Sequence, residues 1–399
     1  MRCWTVILSI LAGCSTAPSS VVDAEPMVSD GDRPGPVVTL LLQRSFGEER
    51  ELPTHLLPGP TLLVLTDAAS YRIDRDGRVK ERWPLPVASS GSVALVTSAS
   101  GDGVAVGATV RWGEDSLVPA GVYLARTDQT GAVASAAMVP LGSVSDVARV
   151  MWDGAAQPCQ VLLGDRTTLK LDLWRWSVPP TGSPLTQTLL VQDLDSTATV
   201  GDWIGSGLCS VERGKIKLRT FPAGSPTEID LTDPQRQAVG SCHLATSGRS
   251  HLVTWNQRAL PVEQLDAGTA PRPDVGPGSL SYDVPLIQLV DGEGRALPRS
   301  VRATLYQQTA TVESALWDGQ RYLVLVRTAH RGGRLQLAAL DESGALLLRE
   351  LELPLVYEPG TLLQARLAQD VDGALLLVYS TRRPEDEGVL HLVRFTVSF

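Results

Sequence analysis

The hydrophobic positions of this 399-residue chain fall in short runs separated by turn residues. From Val37 onward, no convincing stretch carries apolar residues at helical spacing. Some runs are continuous, such as Leu62 to Leu65 and Tyr322 to Val326, which is typical of strands covered on both faces. Others alternate with polar residues, as from Leu169 to Leu173, which is typical of half-exposed strands. The pattern therefore predicts an all-β body.

The order of these runs repeats with a period of about 50 residues, which indicates a repeat architecture. In each unit a continuous strand is followed by an alternating strand, a turn and another short strand. The inner continuous strands begin near seven positions: Leu62, Val104, Val161, Leu208, His251, Tyr322 and Ala374. Seven four-stranded units around an axis form a β-propeller, in which each twisted sheet buries both faces against its neighbours. We therefore predict a seven-bladed β-propeller, with two β-sandwich domains as the alternative.

The two ends of the body are predicted to share one blade. The last unit ends with the strand Val389 to Phe399 and has no fourth strand, whereas the apolar strand Val37 to Ser45 is left over before the first unit. If the N-terminal strand completes the C-terminal blade, both irregularities disappear. A closed ring makes residues 37–399 one domain.

Turn residues mark the ends of the predicted strands. An Asp-x-x-Gly pattern recurs at Asp74, Asp128, Asp291 and Asp341, which suits a tight turn with an aspartate cap and a left-handed glycine. Two of these turns hold a second carboxylate, at Asp76 and Glu293, so a calcium site is the alternative there. The longest interruption, Pro261 to Pro285, is predicted to be a loop over one propeller face, with simple disorder as the alternative.

The N-terminus carries the most specific motif. Arg2 precedes an apolar stretch, and Leu11, Ala12 and Gly13 lead to Cys14. This resembles the lipobox of bacterial lipoprotein signal peptides. The resemblance implies that residues 1–13 are removed by cleavage between Gly13 and Cys14, that Cys14 is lipidated, and that residues 14–36 form a flexible tether. Ser15 after the cysteine implies an outer-membrane location.

Composition and charge narrow the classes of partner. The chain has 44 acidic and 35 basic residues and a net charge of −9, which argues against nucleic acid because phosphate binding needs a basic face. Arginine outnumbers lysine 31 to 4. Guanidinium groups could bind anionic sugars or carboxylates, but dispersal among acidic residues on an ordinary solvated surface explains the arginines as well.

Three cysteines belong to the body: Cys159, Cys209 and Cys242. Outside the cytoplasm a pair would be oxidised. Cys209 and Cys242 lie on adjacent predicted blades and are the possible disulfide, which would close a loop of about 33 residues and contribute about 3 kcal/mol. Alternatively, all three are small apolar strand residues.

The sequence contains no recognisable constellation for catalysis, a metal or a cofactor. The five histidines lack metal-ligand spacing, and no nucleophile motif occurs. His243 and His251 fall on neighbouring strands of one blade and could meet, although packing or surface roles explain them too. We therefore predict no catalytic residues, no metal site and no cofactor.

The chain as a whole resembles β-propeller-like envelope lipoproteins of GC-rich bacteria such as myxobacteria, which implies a cell-envelope location but no particular activity. Our leading hypothesis is a monomeric, lipid-anchored binding or scaffold protein that uses a propeller face to engage an envelope protein or glycan. The alternative is an envelope hydrolase or lyase with an acidic axial site. Convergence of three or more Asp, Glu or His side chains at one end of the channel would favour the enzyme.

Overall fold

The structure is a computed structural model. It describes residues 36–398 except for 48–50, 60, 85–91, 101–102, 111–120, 128–132, 143–145, 152–157, 167–169, 181–185, 205–206, 222–226, 232–236, 259–282, 293–294, 296, 298–302, 305–309, 329–332, 356–360 and 383–387. Residues 36–399 form one compact unit. The described ranges contain no helix with the length and apolar character needed to traverse a bilayer.

The described residues form β-strands that assemble into seven four-stranded antiparallel sheets. In chain order the strands are β1 (Val37–Phe46), β2 (Pro53–Leu57), β3 (Leu62–Thr66), β4 (Ala69–Ile73), β5 (Val79–Pro84), β6 (Ser92–Ser100), β7 (Gly103–Val110), β8 (Gly121–Thr127), β9 (Val133–Gly142), β10 (Asp146–Met151), β11 (Cys159–Arg166), β12 (Lys170–Val178), β13 (Thr186–Asp195), β14 (Thr199–Trp203), β15 (Gly207–Glu212), β16 (Lys215–Thr220), β17 (Thr227–Asp230), β18 (Gln237–Thr246), β19 (Ser250–Arg258), β20 (Asp283–Asp291), β21 (Ala303–Thr304), β22 (Ala310–Trp317), β23 (Arg321–Thr328), β24 (Arg334–Asp341), β25 (Leu346–Glu352), β26 (Thr361–Gln369), β27 (Leu375–Arg382) and β28 (Gly388–Ser398).

Six sheets are each built from four consecutive strands. Blade 1 is β2–β5, and blades 2 to 6 follow in the same way up to β25. Blade 7 has the strand order β26-β27-β28-β1. The first strand of each blade contacts the first strand of the next, and β26 contacts β2. The first strands therefore surround an axis, and the seven-bladed propeller is confirmed. The two-sandwich alternative is wrong, because the sheets form one ring.

The N-terminal strand closes the ring as predicted. β1 pairs antiparallel with β28 along nearly its whole length, from Val37 opposite Ser398 to Phe46 opposite Leu390. Leu42 and Phe46 of β1 pack against the core between blades 7 and 1. The first and last strands of the propeller are thus neighbours in one sheet.

The core lies between blades rather than at the centre of the ring. Each described hydrophobic cluster combines residues of two adjacent blades. In β27, Leu375 and Leu377 pack toward blade 6, whereas Leu376 and Val378 pack toward blade 1. Successive residues of a strand point to opposite faces, so a continuous apolar run serves two interfaces. This explains why the second strand of each blade lacks polar alternation.

The Asp-x-x-Gly turns have the expected capped geometry where they are described. The Asp74 carboxylate accepts hydrogen bonds from the backbone N–H groups of Asp76 and Arg78 at 3.0 and 2.8 Å, and Gly77 has a φ of +77°. Asp341 accepts from Ser343 and Ala345 in the same way. Turn capping accounts for these aspartates, whereas Asp128 lies outside the described residues.

The predicted loop from Pro261 to Pro285 is shorter than expected at its C-terminal end. β20 begins at Asp283, and Pro285 pairs with Asn256 of β19, so these residues belong to a strand. The prediction that a loop covers one propeller face concerns residues 261–282, which lie outside the described residues.

Deletion of residues 37–45 should destabilise the whole ring in one cooperative step, because β28 loses its pairing partner and blade 7 its fourth strand. Thermal unfolding followed by circular dichroism measures the change. We expect a markedly lower melting temperature with a single transition; an unchanged transition would contradict closure by β1.

Two neighbouring leucines of β1 give a matched control for this deletion. Leu42 packs against the core between blades 7 and 1, whereas Leu41 is 47% exposed. Leu42→Ser should cost about 1–3 kcal/mol of unfolding free energy because it removes apolar packing. Leu41→Ser should stay within about 0.5 kcal/mol. Equal losses would indicate that β1 does not pack as described.

Candidate functional site

The first strand of every blade has an irregular register with the second strand, and the irregularity falls at a similar place in each blade. It lies between the following pairs: Pro53 and His55, Ser92 and Ala94, Val147 and Arg149, Val200 and Trp203, Val239 and Cys242, Val312 and Ser314, Leu362 and Gln364. A β-bulge bends a strand and re-aims its side chains. The bulges therefore mark one level of the propeller axis at which the innermost strands change direction.

Polar side chains beside these bulges converge on the axis from five blades. They are His55 of blade 1, Arg149 of blade 3, Asp202 of blade 4, His243 of blade 5 and Arg366 of blade 7. The charges of Arg366, Asp202 and Arg149 all act on His55, although blades 3 and 4 lie across the ring from blades 7 and 1. We call these five residues the axial cluster.

Asp202 and His243 form the closest pair of the axial cluster. The Asp202 Oδ2 atom lies 3.3 Å from His243 Nδ1 and accepts a hydrogen bond from the Leu244 N–H at 3.1 Å. Burial alone would raise the pKa of Asp202, but the His243 contact, the Arg149 charge and the Leu244 hydrogen bond outweigh it and lower the pKa to about 2. Asp202 is therefore ionised at neutral pH. Its side chain is 38% exposed, so the channel admits water at this level.

The two arginines of the axial cluster donate hydrogen bonds to backbone carbonyl groups, most of which belong to neighbouring blades. Arg149 donates to the Val200 carbonyl at 2.8 Å. Arg366 donates to the carbonyls of Thr54 at 3.1 Å, Glu313 at 3.0 Å and Ala365 at 2.8 Å. Burial lowers the pKa of both guanidinium groups. The negative charge of Asp202 opposes the shift at Arg149, whereas Glu313 and, to a smaller extent, Asp202 oppose it at Arg366. The arginines remain charged because their ordinary pKa is so high.

Glu313 lies at the bulge of blade 6 but is occupied by protein partners. Its carboxylate accepts from Arg327 Nε at 2.7 Å and from the Ala365 N–H at 3.1 Å. The side chain is only 5% exposed. Glu313 therefore links blades 6 and 7 and does not open into the channel.

His55 is exposed to the channel but surrounded by the ring of blades. Its pKa is lowered from 6.5 to about 4; enclosure by protein is the largest cause, the charges of Arg366 and Arg149 add to it, and Asp202 opposes it. The imidazole is therefore neutral at pH 7. The axial cluster thus brings two arginines, one aspartate and two histidines to the same level of the channel.

A disulfide joins the two blades that carry Asp202 and His243. Cys209 of β15 and Cys242 of β18 are joined, with Cα atoms 6.1 Å apart, and these are the two cysteines that the sequence singled out. A methyl group on Gly201 would lie 2.6 Å from Cys209 Sγ and 2.5 Å from the Cys242 carbonyl oxygen, so only glycine fits here. The disulfide therefore fixes the positions of Gly201 and Cys242, which precede Asp202 and His243 in the chain. Cys159 is buried, and its thiol contacts the Met151 carbonyl.

The other residues selected from the sequence do not join this cluster. His243 lies opposite Thr254, whereas His251 lies opposite Thr246, so the two histidines are three register positions apart, or about 10 Å, and do not meet. Gly13 and Cys14, the predicted cleavage and lipidation residues, lie outside the described residues. Within the described ranges, no group of three or more His, Cys, Asp or Glu side chains is arranged to hold a metal ion.

The axial cluster was not predictable from the sequence because its members lie far apart in the chain. His55 and Arg366 are separated by most of the body, and only ring closure brings them together. One signal was present: an isolated charged or histidine residue occurs within the innermost strand of several predicted units. Without the bulges, nothing in the sequence shows that these residues face the axis.

A second recess lies between blades 7 and 1 and is lined in part by Leu42, Asp74, Asp370 and Arg394. Its charges neutralise each other, since Arg394 Nε lies 3.1 Å from Asp370 Oδ2 and the same guanidinium also pairs with Asp372. We therefore regard the axial cluster as the candidate site.

Several solved propeller structures are similar to this chain in fold. The β-propeller domain of the Trilobed protease from Pyrococcus furiosus is 10% identical, with 87% of this chain and 94% of that chain covered and a TM-score of 0.47. The α-L-arabinanase of Penicillium chrysogenum is 10% identical over 76% and 93%, with a TM-score of 0.43. The Pan2 WD40 domain of Neurospora crassa is 9% identical over 86% and 74%, with a TM-score of 0.34.

No protein-family model and no curated protein matches the chain. The similar structures include a protease domain, a glycosidase and a WD40 domain. Such distant likenesses transfer no activity to this chain, and the propeller assignment rests on the seven sheets and their ring of contacts.

The pKa of His55 tests the charge balance of the axial cluster. Histidine-selective NMR titration should give a pKa near 4, and Arg366→Met should raise it because a positive charge is removed. His251 is the internal control: burial lowers its pKa and Asp291 opposes this, without a contribution from Arg366. A pKa near 6.5 for His55, or an equal shift at His251, would contradict the described cluster.

The lowered pKa of His55 also predicts how the unfolding free energy depends on pH. Because the folded pKa of His55 lies below the unfolded value of 6.5, the unfolded chain takes up this proton first as the pH falls. The contribution of His55 to stability is therefore present above pH 6.5 and is lost as the pH falls from about 6.5 to 4. His55→Gln should make the unfolding free energy less dependent on pH in this window.

Proposed function

We propose that this chain is a lipid-anchored cell-envelope binding protein that takes its ligand in the axial channel. The observation that carries the proposal is the axial cluster, in which polar side chains of five blades converge at one level of the axis. Several of them are held by backbone hydrogen bonds to neighbouring blades. Pre-positioned polar groups in an enclosed, water-filled space are typical of ligand sites.

Binding rather than catalysis is favoured by the arginines. A guanidinium group holds an anionic or hydrogen-bonding ligand but does not exchange protons near neutral pH. Arg149 and Arg366 are the arginines of the cluster, and we assign them a role in binding. The partner would be an envelope protein or glycan that presents a group small enough to enter the channel.

The second candidate is an envelope hydrolase or lyase. Asp202, His243 and His55 are three Asp or His side chains at one level of the channel, which favours an enzyme. The Asp202–His243 pair supports it further, because an imidazole oriented by a carboxylate can act as a general base. The two candidates differ in what happens to the bound molecule: a binding protein releases it unchanged, whereas an enzyme alters its mass.

The envelope part of the proposal rests on the proposed lipidation of Cys14, which metabolic labelling tests. Cys14→Ala should abolish incorporation of labelled palmitate and release the protein from the membrane fraction, because the thiol that carries the lipid is gone. Cys3→Ala is the matched control, since Cys3 lies in the segment expected to be removed. Continued labelling of the Cys14→Ala protein would reject the anchor.

Photo-cross-linking in the native envelope tests ligand binding in the channel. A photoreactive residue at position 55, which opens into the channel, should give a mass adduct. The same residue at position 371, which is 66% exposed in the turn between β26 and β27, should not. Adducts at position 371 without one at position 55 would contradict an axial site. The mass of the captured molecule, compared before and after incubation with protein, distinguishes binding from turnover.

A further inference from the structure

We propose that the outer part of blade 7 carries a second site, in which Ser45 is a nucleophile and His391 is its general base. The activity assigned to this site is the hydrolysis of esters of small carboxylic acids. The two residues lie on the closing strand β1 and on β28, the two outermost strands of the blade. The site is therefore separate from the axial cluster and independent of ligand binding in the channel.

Ring closure brings Ser45 and His391 together although 346 positions separate them in the chain. The two residues lie directly opposite each other in the pairing of β1 with β28. Ser45 Oγ is 3.0 Å from His391 Nδ1, which is a suitable distance for proton transfer from the hydroxyl to the imidazole. Ser45 is exposed, whereas His391 is buried. The hydroxyl is therefore accessible to a substrate, while its base is enclosed by the sheet.

Two residues of β27 hold the ring of His391 in place. His391 Nε2 is 2.9 Å from Oγ1 of Thr381, which is buried as well. The ring of Tyr379 stacks on the imidazole with its centroid 4.6 Å away and an interplanar angle of 20°. We assign the proton to Nε2, so that Nε2 donates to Thr381 and Nδ1 accepts from Ser45. A nucleophile, a base and a group that orients the base are thus in contact, as nucleophilic catalysis requires.

The edge position of β1 supplies a backbone hydrogen-bond donor beside the nucleophile. β1 is the outermost strand of its sheet, and successive N–H groups of an antiparallel strand point to opposite sides. Ser45 and Phe46 pair in unbroken register with His391 and Leu390. The N–H group of either Ser45 or Phe46 therefore points away from β28. A backbone N–H at this place can stabilise the negative charge that develops on the carbonyl oxygen of an ester.

Ester hydrolysis at this site takes two steps. In the first, Ser45 Oγ attacks the carbonyl carbon and His391 Nδ1 takes the hydroxyl proton. The bond from the carbonyl carbon to the alcohol oxygen then breaks, and the alcohol leaves with that proton. In the second step, water attacks the acyl carbon and gives a proton to Nδ1. The carboxylic acid leaves as this proton returns to Ser45 Oγ, so the net reaction consumes an ester and water.

The group that orients the base favours esters over amides. Thr381 is a neutral hydroxyl, which stabilises an imidazolium less than the carboxylate of a Ser-His-Asp triad does. An alcohol leaves from the acyl carbon more easily than an amine, so an ester needs less assistance from the base. Because Ser45 is exposed, a small acyl group on a larger alcohol suits the site better than a long acyl chain, which needs an enclosed apolar pocket.

A fluorophosphonate probe tests the nucleophile directly in the full-length protein. An activated serine displaces fluoride from the phosphorus atom, and mass spectrometry of peptides locates the adduct. We expect an adduct at Ser45, together with hydrolysis of 4-nitrophenyl acetate. Ser45→Ala should abolish both, because it removes the attacking oxygen. This variant should fold normally, since the side chain that it shortens is exposed.

Three further variants separate catalysis from a simple contact between strands. His391→Gln should slow labelling about a hundredfold or more, because the general base is lost. Thr381→Val keeps the shape of the side chain but removes the orienting hydroxyl, and should slow labelling at least about tenfold. Ser398→Ala is the matched control: Ser398 is exposed at the other end of the same strand pair, and its hydroxyl donates to the Val37 carbonyl at 3.4 Å. It should leave labelling unchanged.

Thermal unfolding of each variant distinguishes a loss of reactivity from a loss of structure. Absence of an adduct at Ser45 in the folded protein would overturn the proposed site. Ester hydrolysis that continues unchanged in the Ser45→Ala protein would overturn it as well. An equal loss of labelling in Ser398→Ala would also contradict it, because Ser398 bonds a backbone carbonyl rather than an imidazole. Each of these results leaves ligand binding in the axial channel standing.

Discussion

The pairing of β1 with β28 is the constraint on which the rest of the structure depends. Each described hydrophobic cluster belongs to two adjacent blades at once, so these blades bury side chains against their neighbours. An open ring would expose one face of blade 1 and one face of blade 7 to water. The backbone hydrogen bonds between the two ends of the chain therefore maintain every interface around the ring, including interfaces far from the closing blade.

The side chains of the axial cluster also connect neighbouring blades. Arg149 reaches the carbonyl of Val200 in blade 4, Asp202 accepts from Leu244 in blade 5, and Arg366 donates to Thr54 in blade 1. Each side chain thus connects its own innermost strand to the next one around the axis. The groups proposed to contact the ligand are also the groups that hold neighbouring blades in register, so the site is rigid before a ligand arrives.

This double role explains the irregular register of the innermost strands. A regular strand would direct alternate side chains into the two blade interfaces, where Arg149 or Asp202 would be buried among apolar residues. The bulge turns them toward the axis, where water and backbone carbonyls solvate their charge. On the blade 4 to blade 5 side, the Cys209–Cys242 disulfide and the absence of a side chain at Gly201 bring the two strands close enough for Asp202 to face His243.

The sequence by itself determined the all-β class, the seven units and the closing strand. A strand that is buried on both faces needs a continuous apolar run such as Leu375–Tyr379. Such a run lies within one short segment, so it can be recognised in the sequence. The Asp74 and Asp341 turns were predictable for the same reason, since their hydrogen bonds stay within five residues. Only the tertiary structure decided the axial cluster. His55, Asp202 and Arg366 interact because a closed ring brings the innermost strands of distant units to one axis, and because a bulge, which leaves no mark in the hydrophobic pattern, turns their side chains inward.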